Sequence, residues 1–204
     1  MEEKKVLVIV DFQRDFCDKN GALYVPGAEE ALKNILKYID EHKDSIDKIV
    51  LTLDWHRLED KSFSVNSGQW PVHCVQNTEG AYIPCELWDK VCEYDIPVAP
   101  FRKGDVPDHE EYGAFERVEV VDPKHIICRS YKGSDDIIFD DEHTYVLCGL
   151  AGDYCVWETF KNMMKAGLRI HVFNEGISFI GDEFGYFERY HNEMGQGQTK
   201  NTEK

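Results

Sequence analysis

The chain reads as an α/β protein, three layers deep, with a central and mostly parallel sheet between helices. Three observations carry that reading. Residues 6–10 are an unbroken apolar and largely β-branched run, the pattern of a strand buried on both faces. A helical stripe and a second buried strand at 48–53, carried by the apolar run 49–53, follow, and such strand–helix–strand units enforce parallel pairing. The same order returns late in the chain, with a strand at 144–148, a helix at 154–166 and a strand at 169–173.

Each element has a local cause. The first strand ends at Asp11. Asn20-Gly21 and Pro26-Gly27 are turn signals. In the helix after them, Ala28, Leu32, Ile35, Leu36 and Ile39 form an inner stripe, while Glu29, Glu30, Lys33, Lys37 and Glu41 face water. The second strand ends at Asp54. Residues 56–132 are irregular and rich in aromatics, Pro and Gly, with short strand candidates at 96–101 and 126–129. The later helix turns Val156, Phe160 and Met163 inward and stops at Gly167. Met163 and Met164 read as core filling. Residues 1–194 are expected to form one domain, and the polar, Gly/Gln-rich 195–204 a disordered tail.

Composition excludes several classes. A net charge of −16 opposes binding to a phosphate backbone or to an anionic membrane, and it serves solubility. The five apolar residues after the charged start are too few for a signal or a membrane span. Seven cysteines, an odd number, suit reduced thiols and a cytoplasmic location. Cys74, Cys85 and Cys92 form no paired Cys-x-x-Cys pattern. Self-association is left open.

Chemistry gathers at the strand ends. In Asp54-Trp55-His56 a carboxylate and an imidazole two residues apart point to one side of an extended backbone. His73 follows on a loop bracketed by Trp55 and Trp70. One carboxylate and two imidazoles suit zinc, manganese or iron. The competing reading is a capping Asp and a chance histidine, since the chain has eight. Ligands of open parallel sheets bind beyond the carboxyl ends of the strands, so Asp11, Asp54 and the turn before Cys155 should share an edge. Cys155 starts a helix after Gly149-Leu150-Ala151-Gly152-Asp153-Tyr154. The helix N-terminus is expected to lower its pKa and to cradle an oxyanion; a small buried hydrophobe is the ordinary alternative.

These residues give the chain a likeness. Asp11-Phe12-Gln13-Arg14-Asp15-Phe16, Gly21-Ala22-Leu23-Tyr24-Val25, Asp54-Trp55-His56, the run from Trp70-Pro71-Val72-His73 to Gly80-Ala81, Lys103-Gly104 with Tyr112-Gly113-Ala114-Phe115, and Gly149 to Val156 occur in that order. The chain resembles the isochorismatase-like cysteine hydrolases, and within them the nicotinamidases. The resemblance implies Cys155 as nucleophile, Asp11 as general base and Lys103 as third member. It implies a cis peptide at Leu150-Ala151, with the Ala151 and Cys155 N–H groups facing the oxyanion. It also implies Asp54, His56 and His73 as ligands of one divalent metal, zinc first, which anchors the pyridine nitrogen of nicotinamide. Phe16, Trp70 and Tyr112 match positions that wall the ring. Lys132-Gly133 repeats the Lys-Gly dipeptide outside this context.

The match departs in three places. Asp60 stands where many relatives carry a histidine, making it the candidate fourth ligand; its carboxylate would tilt the site towards manganese or iron. Gly113 stands where Ser is usual and Gly152 where Thr is usual, and the second change is expected to loosen the nucleophile turn. Asp135, Asp136, Asp140, Asp141 and Glu142 form an acidic surface without a functional account. The leading expectation is a metal-dependent amidase that converts nicotinamide to nicotinate and ammonia through a thioester, in NAD salvage. The alternatives are a cysteine amidase for a carbamoyl or ureido substrate and a catalytically silent binding member.

Overall fold

The computed structural model describes residues 3–122, 124–132 and 135–181; the expected tail at 195–204 and the domain end at 194 lie outside them. Strand β1 (Lys5–Val10) is the middle of the main sheet, and Leu7 to Val10 have no exposed surface. Burying each such side chain stabilises the fold by about 1.5–3 kcal/mol. A single helical turn, α1 (Arg14–Cys17), is followed by α2 (Ala28–His42), then β2 (Ile46–Asp54), α3 (Cys85–Glu93) and β3 (Val98–Lys103). Three short strands come next: β4 (Arg117–Asp122), β5 (His125–Arg129) and β6 (Asp136–Asp140). The chain then forms β7 (Thr144–Gly149), α4 (Cys155–Lys165) and β8 (Ile170–Ile177).

The five strands of the main sheet run in the order β3-β2-β1-β7-β8, and every pairing is parallel. From β1 the chain steps one way through α2 to β2; from β7 it steps the other way through α4 to β8. Right-handed crossovers in opposite directions put α2 and α4 on opposite faces. The buried stripe of α2 is Ala28, Ala31, Ile35, Tyr38 and Ile39, with Leu32 and Leu36 only half-buried. The stripe is rotated slightly from the expected one because Tyr38 packs its ring on Phe173 of β8, centroids 4.7 Å apart.

The middle of the chain holds more order than its composition suggests. The candidate strand at 126–129 lies outside the main sheet, in a separate antiparallel sheet of order β4-β5-β6. Phe139 anchors that sheet, its ring 4.9 Å from Phe115 and 5.0 Å from Tyr145. Much of the acidic segment is structural. Asp135 accepts the Arg102 N–H and guanidinium at 3.0–3.1 Å, Asp136 pairs with Arg129, and Asp140 with His143. Among the described residues no helix is long and apolar enough to cross a membrane.

Candidate active site

Four adjacent strands deliver the site residues to one edge. Lys103 ends β3, Asp54 ends β2 in register with it, Asp11 follows β1, and the turn after β7 leads to Cys155. β3 runs to Lys103, two residues past the expected strand, which puts that lysine at the same edge.

Asp11 is fully buried and adopts φ +46°, a left-handed conformation uncommon outside glycine. Thr52 supports it from β2: its hydroxyl accepts the Asp11 N–H at 3.2 Å and donates to Oδ1 at 2.7 Å. Oδ2 stands 2.8 Å from Lys103 Nζ, an ion pair in which neither side chain has exposed surface. Lys103 Nζ also donates to Asp54 Oδ1 and lies 3.6 Å from Cys155 Sγ. Lys103 has no solvent-exposed surface. Lys132, with the same dipeptide, is elsewhere and donates to the Asp105 carbonyl at 2.7 Å.

The charges follow from this packing. Burial pushes the Asp11 carboxyl up to about 6, with Lys103 pulling it back down. Burial would also raise Asp54, but Lys103, His56 and His73 override it and hold Asp54 well below the usual range. For Cys155 burial dominates: it raises the thiol well above its ordinary value, Lys103 opposes, and Asp11 and Asp54 add to the rise. This corrects the expectation of a thiol lowered by the helix N-terminus. The resting pocket favours a neutral thiol with a base beside it.

Asp54 has a second neighbourhood. Its Oδ2 lies 3.6 Å from His56 Nε2 and 3.8 Å from His73 Nε2, and one ligand atom from each residue falls within 4.8 Å of the others. Two donors about 2.1 Å from one ion stand about 3.4 Å apart at a tetrahedral angle, so the spacing fits a divalent cation. Both rings are fixed in orientation. His73 Nδ1 bonds the Pro71 carbonyl at 2.7 Å and His56 Nδ1 bonds Asp60 Oδ2 at 2.9 Å, which directs each Nε2 towards Asp54. Buried Phe63 backs both imidazoles at 5.3 Å.

Asp60 is therefore not brought into the ligand group. The His56 ring stands between its carboxylate and the donor centre, and Oδ1 is occupied by the Ser62 N–H at 2.9 Å. The expected fourth ligand becomes the orienter of His56, and the tilt towards manganese or iron loses its basis.

Phe16, Trp70 and Tyr112 line one pocket with Ala151 and Cys155. Trp70 Nε1 donates to the Tyr112 hydroxyl at 2.9 Å. The Leu150–Ala151 peptide is cis. Tyr154 and Val156 send their N–H groups back to the Ala151 carbonyl; among the described backbone pairings, the Ala151 and Cys155 N–H groups have no acceptor.

Several contributors were invisible as such in the sequence. Gln13 clamps Asp54 by its backbone, with Oε1 accepting the Asp54 N–H and Nε2 donating to the Asp54 carbonyl, both at 2.7 Å. Asp15 accepts the N–H of Cys74, beside His73, at 2.7 Å. Tyr154 packs edge-on to Trp70 at 5.1 Å. Glu111 lines the pocket as a carboxyl that burial raises to about 7. The motif positions of Gln13 and Asp15 were the available signal; Glu111 had none.

The two glycine departures also have structural reasons. A Cβ on Gly113 would stand 2.7 Å from the Glu158 backbone on α4, and one on Gly152 would stand 2.3 Å from the Phe179 ring. Gly152 also donates to the Ser178 carbonyl at 2.8 Å, so the turn is braced rather than loosened.

Fold and site together define a parallel α/β hydrolase scaffold whose strand edge holds a buried thiol–carboxylate–ammonium set beside a carboxylate–bis-imidazole cluster. The chain belongs to the isochorismatase family: the isochorismatase domain matches residues 5–117. It is 30% identical over 188 residues to the nicotinamidase of Escherichia coli, covering 84% of this chain and 82% of that one. Among solved structures it is similar to the pyrazinamidase of Pyrococcus horikoshii in complex with zinc, at 28% identity and TM-score 0.65, covering 95% of each chain. It is also similar to PnC1 from L. infantum in complex with nicotinate, at 25% identity and TM-score 0.69, covering 95% of this chain and 89% of that one.

The Lys103 contacts generate a stability prediction. Lys103→Met leaves two buried carboxylates facing each other, which is expected to cost about 3–5 kcal/mol near pH 8. Burial and the Asp54 charge already hold the Asp11 carboxyl above its unfolded value, and losing the cation raises it further, so the folded variant binds more protons than the unfolded chain and regains stability as pH falls towards 5. Urea midpoints of both proteins across that range check the sign.

Proposed function

We propose that the chain hydrolyses nicotinamide to nicotinate and ammonia through a thioester on Cys155, in the salvage of NAD. The observation that carries this reading is the placement of two Nε2 atoms and one carboxylate oxygen in the same aromatic-walled pocket as the thiol. That pocket suits a planar heteroaromatic ring bearing an amide. The nicotinamidase relatives support an amide-hydrolysing enzyme, and the zinc in one neighbour supports a divalent ion.

Asp54, His56 and His73 would hold the ion, which when bound supplies a Lewis-acidic partner for the ring nitrogen. Phe16, Trp70 and Tyr112 would wall the ring, leaving the carboxamide at Cys155. As Sγ attacks the carbonyl carbon, its proton passes to Asp11, an acceptor strong enough to take it and still ionised at neutral pH. The Ala151 and Cys155 N–H groups receive the developing oxyanion. Asp11 then returns the proton to the departing nitrogen, ammonia leaves, and a thioester remains. Asp11 next takes a proton from water, whose oxygen attacks the thioester; the C–S bond breaks, Asp11 returns that proton to the sulfur, and the released acid ionises to nicotinate. Lys103 keeps Asp11 ionised between these steps and offsets charge at the sulfur.

Ammonia release from nicotinamide, pyrazinamide and a ureido compound tests the reading. Nicotinamide is expected to be turned over, Cys155→Ala to release no ammonia while still binding nicotinamide, and chelation to remove activity that added zinc restores. Turnover of the ureido compound alone, or full activity in Cys155→Ala, would contradict it. The acid limb of kcat/KM follows from the Asp11 set. As pH falls through about 6 the base is already protonated, so kcat/KM should drop about tenfold per unit. A profile flat down to pH 4 would remove Asp11 from the role.

A further inference from the structure

Residues 178–181 follow β8 and return to the nucleophile turn, which they touch at three points. The Ser178 carbonyl accepts the Gly152 N–H at 2.8 Å. Phe179 is buried and its ring lies where any Gly152 side chain would begin, with Cε1 2.3 Å from an ideal Cβ. Asp153 uses both carboxylate oxygens, accepting the N–H of Ile180 at 3.1 Å and of Gly181 at 2.7 Å. The segment so fastened carries Ile180, 38% exposed, to the wall of the pocket that holds Trp70, Tyr154 and Cys155.

We propose that residues 178–181 are a specificity strap: Asp153 fastens it, Phe179 seats it on Gly152, and Ile180 limits the size of ring accepted beside Cys155. Packing alone would explain Phe179 over Gly152. It would not explain a carboxylate spent on two consecutive N–H groups of the residues that place an aliphatic side chain in the substrate pocket. One carboxylate engaging both N–H groups holds the two residues together against the nucleophile turn, so Asp153 fixes the position of that wall. Gly152 and Asp153 precede Cys155 by three and two residues. The strap thus bears on the pocket wall and on the nucleophile turn together. Asp153 is a positioning residue and Ile180 a specificity-determining one.

The inference rests on the amidase reading, and its test separates the two. Turnover of nicotinamide by the wild-type chain decides the reading. The strap is decided by a ratio, kcat/KM for quinoline-3-carboxamide over that for nicotinamide, in the zinc-loaded full chain. One methylene of fit in a hydrophobic pocket is worth roughly 10–200-fold in discrimination, so Ile180→Ala should raise the ratio about tenfold or more. Asp153→Ala should raise it in the same direction, and Asp153→Asn, which retains one acceptor oxygen, should recover part of the wild-type value. An unchanged ratio in Ile180→Ala overturns the proposal. The relative affinity of Cys155→Ala and Cys155→Ala/Ile180→Ala for the two carboxamides, measured by calorimetry, reads the same wall without turnover; equal ratios there, or no binding of either ring, also overturn it. Gly152→Ala should lose activity that Phe179→Ala restores in the same chain, and simply additive losses would unseat Phe179 from the strap.

Discussion

The buried ammonium of Lys103 is the interaction on which the site depends. Asp11, Asp54 and Cys155 are all buried within reach of it. Three acidic groups in so small a dry volume cannot all ionise without a cation among them. With Lys103 present, Asp54 is held well below the usual carboxylate range, while burial lifts the Asp11 carboxyl to about 6 and the Cys155 thiol well above its ordinary value. The sheet makes this possible. Parallel pairing sets Lys103 in register with Asp54 on the next strand, and β1 between β2 and β7 sets Asp11 between Asp54 and the nucleophile turn.

Asp54 joins the two halves of the site. One oxygen receives Lys103 and the other faces both imidazoles. The imidazole cluster and the thiol–carboxylate–ammonium set therefore share a carboxylate whose backbone Gln13 fixes from the first motif. In the proposed reaction this arrangement sets the distance between the anchored ring and the reacting carbonyl with few mobile parts. Asp60, Asp15 and Phe63 extend the same logic outward, holding a ring, a loop and a wall without touching the reacting atoms.

The main fold was legible because it rests on pattern. Residues 6–10, 48–53 and 144–148 are apolar enough to declare two-sided burial, and their ends point to the ligand edge. Asp54, His56 and His73 could be read together from spacing and loop context. Lys103 could not: it needed the resemblance, because the strand reading stopped two residues short of it. β4 was missed because charge interrupts its apolar residues and it is exposed along its whole length, and β6 because only three apolar residues stand between two aspartates. The Asp60 role turned on which nitrogen of His56 faces the centre, a fact of side-chain direction that spacing does not encode. The thiol expectation failed for a different reason. A helix N-terminus was weighed without the desolvation and the two carboxylates that only the assembled sheet reveals. Gly152 looked like a loss in the sequence, and it proved to be the seat of Phe179 from beyond β8.

The central claim is that Cys155 rests as a neutral thiol and gives its proton to Asp11 only as it attacks. Thiolate absorbs in the ultraviolet where the thiol does not, so the difference between wild-type and Cys155→Ala spectra, followed from about pH 6 to pH 10, reports this one residue. The account predicts no Cys155 thiolate at neutral pH and a signal that appears only at the alkaline end. A full thiolate signal at pH 7, in the zinc-loaded protein without substrate, would contradict it.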